Sequence, residues 1–571
     1  MLADLFDNGY GEDGFRECPV TGLRIHRSVE NPVKLFGLTA VVALVVGGVA
    51  ALLVVLTRWE LVGLHSAEDF YKYLSLHAWN LLIFWMVFME IAILYVGGPM
   101  VLGRKMPAPK LAKSGWVLMA AAAVVVNVAV WTTDPPAEQQ PLLTSYVPLE
   151  SPPLFYAGAI LFILGAVVAA LPFFACIWQE KSENPGETLP LVTFGAFATS
   201  IIALESLVGG LVTYVPTFLW SVDLVAHVDA QWYRQMYWTI GHGSQQINLV
   251  AMITVWYFMT HVVGGAEVVS EKVSRTAFIL YVFFINLGAA HHLLSDPGVS
   301  AEWRIWNASY AMYGAVGASM IHAFAIPAGL EAGLRQKGIG GDGWFGWLRE
   351  APWSDPGFSA TVFSVAMFGF MGGTTGVLVG QMQLNMMRHN TFAIPGHFHG
   401  TVAVGTTLAF MGLLYYVLRL NFFREWVGDF FARAQPYLYA VGMGVTVMAM
   451  MDLGILYSVP RRHPSVTEIP GTDFSLAAAE PLFAVFGVAA LVAILAGVVF
   501  VAVALGTLFF GKRAPPTVPV PRDAGGAGGV SEIHVQSMRG SFALCLLFLV
   551  ALGALYALDW AWLGSLWGVG T

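Results

Sequence analysis

Apolar runs long enough to cross a bilayer recur along the chain, beginning near Val33, Tyr73, Trp116, Pro153, Leu189, Trp232, Ala277, Ile305, Phe358, Ile394, Pro436, Pro481 and Ser541. Each approaches the roughly 20 residues that about 30 Å of hydrocarbon requires. Nothing alternates with the two-residue period of a barrel strand, and an open strand cannot satisfy its backbone in lipid. The pattern predicts an all-α polytopic membrane protein with about thirteen transmembrane helices. It divides into a polar N-terminal tail over 1–32, a transmembrane core over 33–511, a linker over 512–540 and a last helix over 541–571. The linker contains "RAPPTVPVPRDAGGAGGV", whose Pro and Gly content suits a connector and not a packed element.

The loop charges orient this bundle. Arg104, Lys105, Lys110, Lys113, Lys272, Arg275, Arg335, Lys337, Arg419, Arg424, Lys512 and Arg513 fall in one set of alternate loops, as do Arg16, Arg24 and Arg27 of the tail. Asp134, Glu138, Asp223 and Asp229 fall in the other set. The positive-inside rule makes the basic set, and the N-terminus, cytoplasmic. Arg388 and the pair Arg461–Arg462 in "YSVPRRHP" break the rule on the outer side. The expected location is a prokaryotic cytoplasmic membrane, with lipid as surrounding solvent.

Composition narrows the class further. The chain has 571 residues, 57% hydrophobic and 11% charged, with mean hydropathy +0.68. The net charge of −8 gives no support to nucleic-acid binding. Cys18, Cys176 and Cys545 form no paired spacing, so covalent haem attachment, a cysteine-held cluster and a disulfide framework are not expected. The tail segment "RECPVTGLRIH", with Cys18 and His26, reads as a cytoplasmic cap.

Chemistry enters with the histidines. His77 and His242 lie early in the second and sixth segments, His291 and His292 end the seventh, and His397 and His399 begin the tenth. On the expected topology all six share one depth in the outer part of the membrane. Unpaired polar rings are costly there, and neutral imidazole is the commonest metal ligand. At about 100° per residue, His397 and His399 point to opposite sides of one helix and suit two different metals. His291 and His292 can converge on a third centre with His242.

The stretch "HNTFAIPGHFHG", the His-His pair in "GAAHHLLSDPG", His242 forty-nine residues before that pair, and Arg461–Arg462 resemble subunit I of the haem–copper oxidoreductases, most closely its B-type branch. The resemblance implies that His77 and His399 are axial ligands of a low-spin haem, and that His397 is the proximal ligand of a high-spin haem. His242, His291 and His292 would hold a metal facing it. Arg461 and Arg462 would pair with haem propionates, as Arg forks suit carboxylates, and His389 would lie near them. Both haems would be of b type.

The chain departs from the oxygen-reducing members at one turn. There the branch reads Gly-His-Pro-x-x-Tyr, with the tyrosine joined to the metal-bound His; here it reads Gly241-His242-Gly243-Ser244-Gln245-Gln246. Another branch places its tyrosine six residues before the His pair, where this chain has Ile285, and Tyr281 a turn away reads as packing. Splitting O₂ takes four electrons almost at once, and the phenol supplies one. Coupling two NO molecules, 2 NO + 2 e⁻ + 2 H⁺ → N₂O + H₂O, needs only two, which the haem iron and the facing metal can provide. The substitution therefore points to nitric oxide reduction and resembles the eNOR-like reductases derived from B-type oxidases. The rival readings are a terminal oxygen reductase lacking the cross-linked tyrosine and a haem-bearing sensor. A neutral Gln246 beside three imidazoles suits copper better than non-haem iron.

Protons would reach the site along Gln246 and Tyr257, eleven residues apart on one face of the sixth segment, and along Ser319 and His322 on the eighth. These places resemble the proton channel of B-type enzymes. Glu205, an intramembrane acid with no basic neighbour in sequence, reads as a proton carrier or a group near the facing metal. No electron-accepting motif occurs, so quinol or a soluble donor is implied, with a cupredoxin-like subunit II as the partner expected from the resemblance.

Overall fold

In the computed structural model the described residues are 6, 8–133, 145–266, 268–284, 286–463, 476–520 and 538–568. Asp134, Glu138, Ile285 and most of the linker, 521–537, lie outside them. The architecture is the expected all-α bundle. Among the described residues eleven helices are long and apolar enough to span: Arg27–Arg58, Asp69–Met100, Pro109–Thr132, Pro153–Glu183, Leu191–Ser221, Ala301–Gln336, Pro356–Gly380, Ala393–Leu420, Asp429–Tyr457, Ala477–Phe510 and Arg539–Leu566. A twelfth is the pair Glu271–Phe284 and Leu287–Leu293, bent by 55°. The segment expected from Trp232 is also helical, as Ala230–Gly241 followed by Gly243–Val262, but it is not among these spans. Gln245, Gln246, Asn248 and His261 dilute its apolar content. Thirteen is therefore not reached by length and composition alone.

Burial ranks the helices. Ala393–Leu420 is 89% buried over its apolar window and Asp69–Met100 is 78% buried, whereas Arg539–Leu566 is 6% buried. The first two form the centre, and the last lies against the outside. Short π-helical stretches interrupt the bundle, among them Trp79–Phe84 just after His77 and His399–Thr406, which starts on a histidine. Such widened turns re-aim side chains without breaking the helix.

The tail folds earlier than expected, since the first helix begins at Arg27 and not at Val33. Before it, Phe15–Glu17 pairs antiparallel with Arg24–His26. Buried Glu30 accepts from Asn8 Nδ2 at 2.7 Å, Tyr10 at 2.6 Å and Arg16 Nε at 2.8 Å. Asn8 Nδ2 and Arg16 Nη2 then donate to the carbonyls of Asn421 and Leu420, at 2.6 and 3.0 Å. The tail thus caps the C-terminal end of the central Ala393–Leu420 helix, where cationic and N–H groups complement free carbonyls. Cys18 is buried and free, while His26 Nδ1 meets Ser28 Oγ at 2.7 Å.

The last helix is clamped at both ends. Glu331 receives the backbone N–H groups of Gly540 and Ser541 and the Ser541 hydroxyl, at 3.2, 2.6 and 2.8 Å. At the other end Arg388 Nη2 donates to Asp559 Oδ1 at 2.6 Å, and the Arg388 side chain is fully buried. This pair accounts for the misplaced positive charge. Asp559→Ala strands the guanidinium and is expected to cost about 3 kcal/mol, the scale for breaking a buried ion pair. A lowered thermal midpoint of the purified protein, with loosened proteolytic protection of the last helix, checks this.

Candidate functional site

One central cavity of about 400 Å³ is lined by all six histidines singled out in the sequence, His77, His242, His291, His292, His397 and His399, and by Gln246, Ser319, Arg461 and Arg462. Its remaining wall is mostly apolar, as a buried prosthetic group requires.

His77 and His399 face each other with ring centres 6.1 Å apart and planes 12° from parallel. Two imidazoles that share one metal at about 2 Å per bond separate their centres by roughly 6 Å. His399 Nδ1 donates to Pro395 O at 2.7 Å and His77 Nδ1 to Gly47 O at 3.4 Å, which leaves both Nε2 atoms for the metal. The pair fits the axial ligands of a haem. His397 points away from it, as the two-residue spacing requires. Its Nδ1 meets Thr375 Oγ1 at 3.0 Å, and its electrostatic neighbours are the other three histidines. Gly376 makes room for the ring, since a Cβ there would lie 2.8 Å from His397 Cε1.

Those three form the one metal-competent cluster among the described residues, with ligand atoms within 4.8 Å of one another. His242 Nδ1 lies 2.9 Å from His292 Nε2, a distance that two lone pairs can share only through a metal or a proton. His291 Nδ1 donates to Gly288 O at 2.6 Å, which turns its Nε2 inward. The nitrogens that could share a metal are therefore Nδ1 of His242 and Nε2 of His291 and His292, with the His291 and His242 rings oriented through their outer nitrogens. For His242 that outer contact is Gln246, whose amide touches Nε2. Among the described residues the imidazole of His242 makes its ring and hydrogen-bond contacts with His291, His292 and Gln246, and none with a tyrosine. Gly243 lets the helix pass close to the Leu191–Ser221 helix, since a Cβ there would collide with Ser206.

Sequence reasoning missed three supports. Trp238 stacks on His292 with centres 3.8 Å apart and planes 5° from parallel. It lies one turn before His242, so the i, i+4 spacing could have shown it. Asn307 Oδ1 accepts from Ala290 N at 3.0 Å and steadies the His pair, and Thr375 holds His397. Both come from distant helices and left no local signal.

Arg461 and Arg462 line the cavity. Burial, and then the like charge of Arg462, holds the Arg461 guanidinium down to about 9. His389 is not on the cavity wall. It lies in the adjoining charged cluster with Arg461, Asp296, Arg234 and Arg462, where burial first and Arg461 next push its imidazole below the usual range.

The remaining candidates divide. Tyr257 donates to Ser274 Oγ at 2.9 Å and meets His322 Nδ1 at 3.0 Å. Tyr281 does more than pack: it meets Ser319 Oγ at 2.8 Å and stacks on His322 at 5.6 Å. Ser274, Tyr257 and His322 thus make one hydrogen-bonded run and Tyr281 with Ser319 a second, the two joined by the ring stack of Tyr281 on His322, and Ser319 reaches the cavity. Glu205 is a correction. It is exposed on the outside of its helix, in a stripe with Val208 and Val212, and does not reach the cavity. That helix turns Ser206, Gly210 and Thr213 inward instead, and a one-residue step around a helix reverses burial.

Comparison with known proteins agrees with this geometry. The family "Cytochrome C and Quinol oxidase polypeptide I" matches residues 31–479. Cytochrome c oxidase subunit 1 of Thermus thermophilus is 31% identical over 464 residues, which cover 80% of this chain and 79% of that protein. Cytochrome c oxidase subunit 1 of Pecten maximus is 25% identical over 446 residues, covering 70% and 83%. A solved cryo-EM structure of a heme-copper terminal oxidase dimer superposes with TM-score 0.80 at 23% identity, covering 92% of each chain, which supports the shared fold.

Proposed function

This chain belongs to the cytochrome c and quinol oxidase polypeptide I family, the haem–copper oxidoreductases, and we propose that within it the chain reduces nitric oxide to N₂O. The observation that carries this reading is Gln246 on the Nε2 of His242, in the place where a redox-active phenol would sit. The names of the relatives favour the second reading, a terminal oxygen reductase.

His77 and His399 would hold the low-spin haem, His397 the high-spin haem, and His242, His291 and His292 a copper ion, for which three imidazoles without a carboxylate suffice. When bound, these groups supply the electrons that join two nitrogens. The chain's own work is to place, orient and protonate. Gln246 fixes the ring of His242 so that Nδ1 faces the cavity. Thr375 does the same for His397. Arg461 and Arg462 would receive the propionates, with His389 behind them. Ser274, Tyr257, His322, Tyr281 and Ser319 carry protons from the basic-loop side, which we assign to the cytoplasm of a prokaryotic inner membrane. Quinol, or a soluble donor through a cupredoxin-like subunit, would supply electrons.

Purified protein with a reduced donor is expected to convert NO to N₂O, measured by gas chromatography, and to take up O₂ only feebly. Fast, water-forming O₂ consumption without N₂O would transfer the assignment to the oxygen reductases.

A further inference from the structure

The polar line through Tyr257 occupies one face of the Gly243–Val262 helix. The opposite face carries a second set of buried polar atoms that the proposed chemistry does not use. Glu90, in the middle of the Asp69–Met100 span, is 4% exposed, and its Oε1 has no hydrogen-bond partner among the described residues. Asn248 is 1% exposed, and neither its Nδ2 nor its Oδ1 has a partner. Gln245 donates to Ser244 Oγ, but its own buried Oε1 is likewise unpartnered.

These side chains lie at one depth. Gly97 packs on Ala196, and Gly195 packs on Thr254, so the three helices are in register at that level. Glu90 stands seven residues from Gly97, and Asn248 six from Thr254, toward the histidine end. At about 1.5 Å per residue both sit roughly 10 Å above the shared level. Gln245 and Asn248 are three residues apart and share a helical face. Met86, one turn from Glu90 on its own face, and Gln245 and Leu249 on the facing helix all line the cavity. The stretch Trp85–Tyr95 packs directly on Gly243–Val262.

Four unpartnered buried atoms within about one helical turn are far outside the habit of protein interiors. A carboxylate cannot stay charged there without a cation, and among the described residues no basic side chain pairs with Glu90. An uncharged acid with internal water satisfies every atom: the acid O–H donates, Asn248 both donates and accepts, and Gln245 accepts. The geometry points to a proton-exchanging pocket in which Glu90, Asn248 and Gln245 hold water against the cavity wall, with Glu90 as its reservoir. Glu90 gives its proton to that water chain as the site consumes one, and the carboxylate left is reprotonated by a proton from bulk water on relaxation, so no net charge is left behind. This pocket lies on the far side of the helix from Tyr257. It rests on the reading of the cavity as a proton-consuming centre, but not on which gas is reduced.

Redox-difference infrared spectroscopy of the intact purified enzyme, in H₂O and in D₂O, tests this. A carboxylic-acid C=O band that responds to reduction, shifts in D₂O and is missing from Glu90→Gln is the expected result. Proton uptake in that variant is expected to fall about a hundredfold or more, the low end for loss of a positioned proton donor. Asn248→Leu should move the band by removing a hydrogen-bond partner. A band that survives Glu90→Gln, a band blind to D₂O, or undiminished proton uptake each overturns the proposal. If Glu90→Gln does not assemble, Glu90→Asp decides: a retained, exchangeable and displaced band supports the reservoir, and an unmoved band rejects it. An enzyme that reduces oxygen, not NO, yet shows the Glu90 band would overturn the assigned substrate and leave this pocket standing.

Discussion

Replacing His292 with alanine is expected to strip the non-haem metal from the purified protein and lower turnover with either gas by about four orders of magnitude or more, as when a member of a cooperating catalytic set is removed. The geometry makes the loss selective. His292 Nε2 and His242 Nδ1 are 2.9 Å apart, so one ring's removal leaves two ligands and an open side. His77 and His399 face each other as a separate pair, and their low-spin haem spectrum should be unchanged. Trp238→Leu touches the same ring from behind and should weaken metal binding about ten- to hundredfold without abolishing it, the scale for outer supports of a ligand. Metal analysis with optical spectra checks all three statements. Retention of one non-haem metal per chain in His292→Ala would refute the ligand set.

The second large effect is expected at Tyr257. Tyr257→Phe keeps the ring beside Phe278 and His322 but deletes the hydroxyl that joins Ser274 to His322. Loss of a positioned proton-transfer group typically costs about 10²-fold or more. Steady-state turnover should fall by about that factor, while the first reduction of the low-spin haem, which needs no proton, keeps its rate. His322→Leu should behave alike, because both side chains interrupt the same line. Equal rates for Tyr257→Phe and the parent enzyme would remove this line from the proton route and leave supply to the Glu90 pocket.

How far each element could be read in advance follows from the range of the interaction behind it. The opposed faces of His397 and His399 depend only on helical pitch, and the structure sends one ring to His77 and the other to the three-histidine cluster. The missing phenol was a local matter as well, one turn after His242. Glu205 was misread because hydrophobic periodicity is nearly flat along a membrane helix, so the sequence does not say which side meets the bundle. Tyr281 was read as packing for a similar reason: its partner Ser319 is thirty-eight residues away on another helix.

What the sequence determined by itself was the all-helical membrane architecture, the histidines near common helix ends and the amide that replaces a tyrosine. These follow from bilayer thickness and pitch, which act on neighbours in the chain. The tertiary structure decided which imidazole nitrogen is free, through carbonyls such as Gly288 and side chains such as Thr375, and that Arg388 belongs to Asp559. It also set Glu90 level with Asn248. Such pairings are fixed by rotation and sliding of packed helices against one another, and contacts between residues far apart in the chain leave no periodic trace in it.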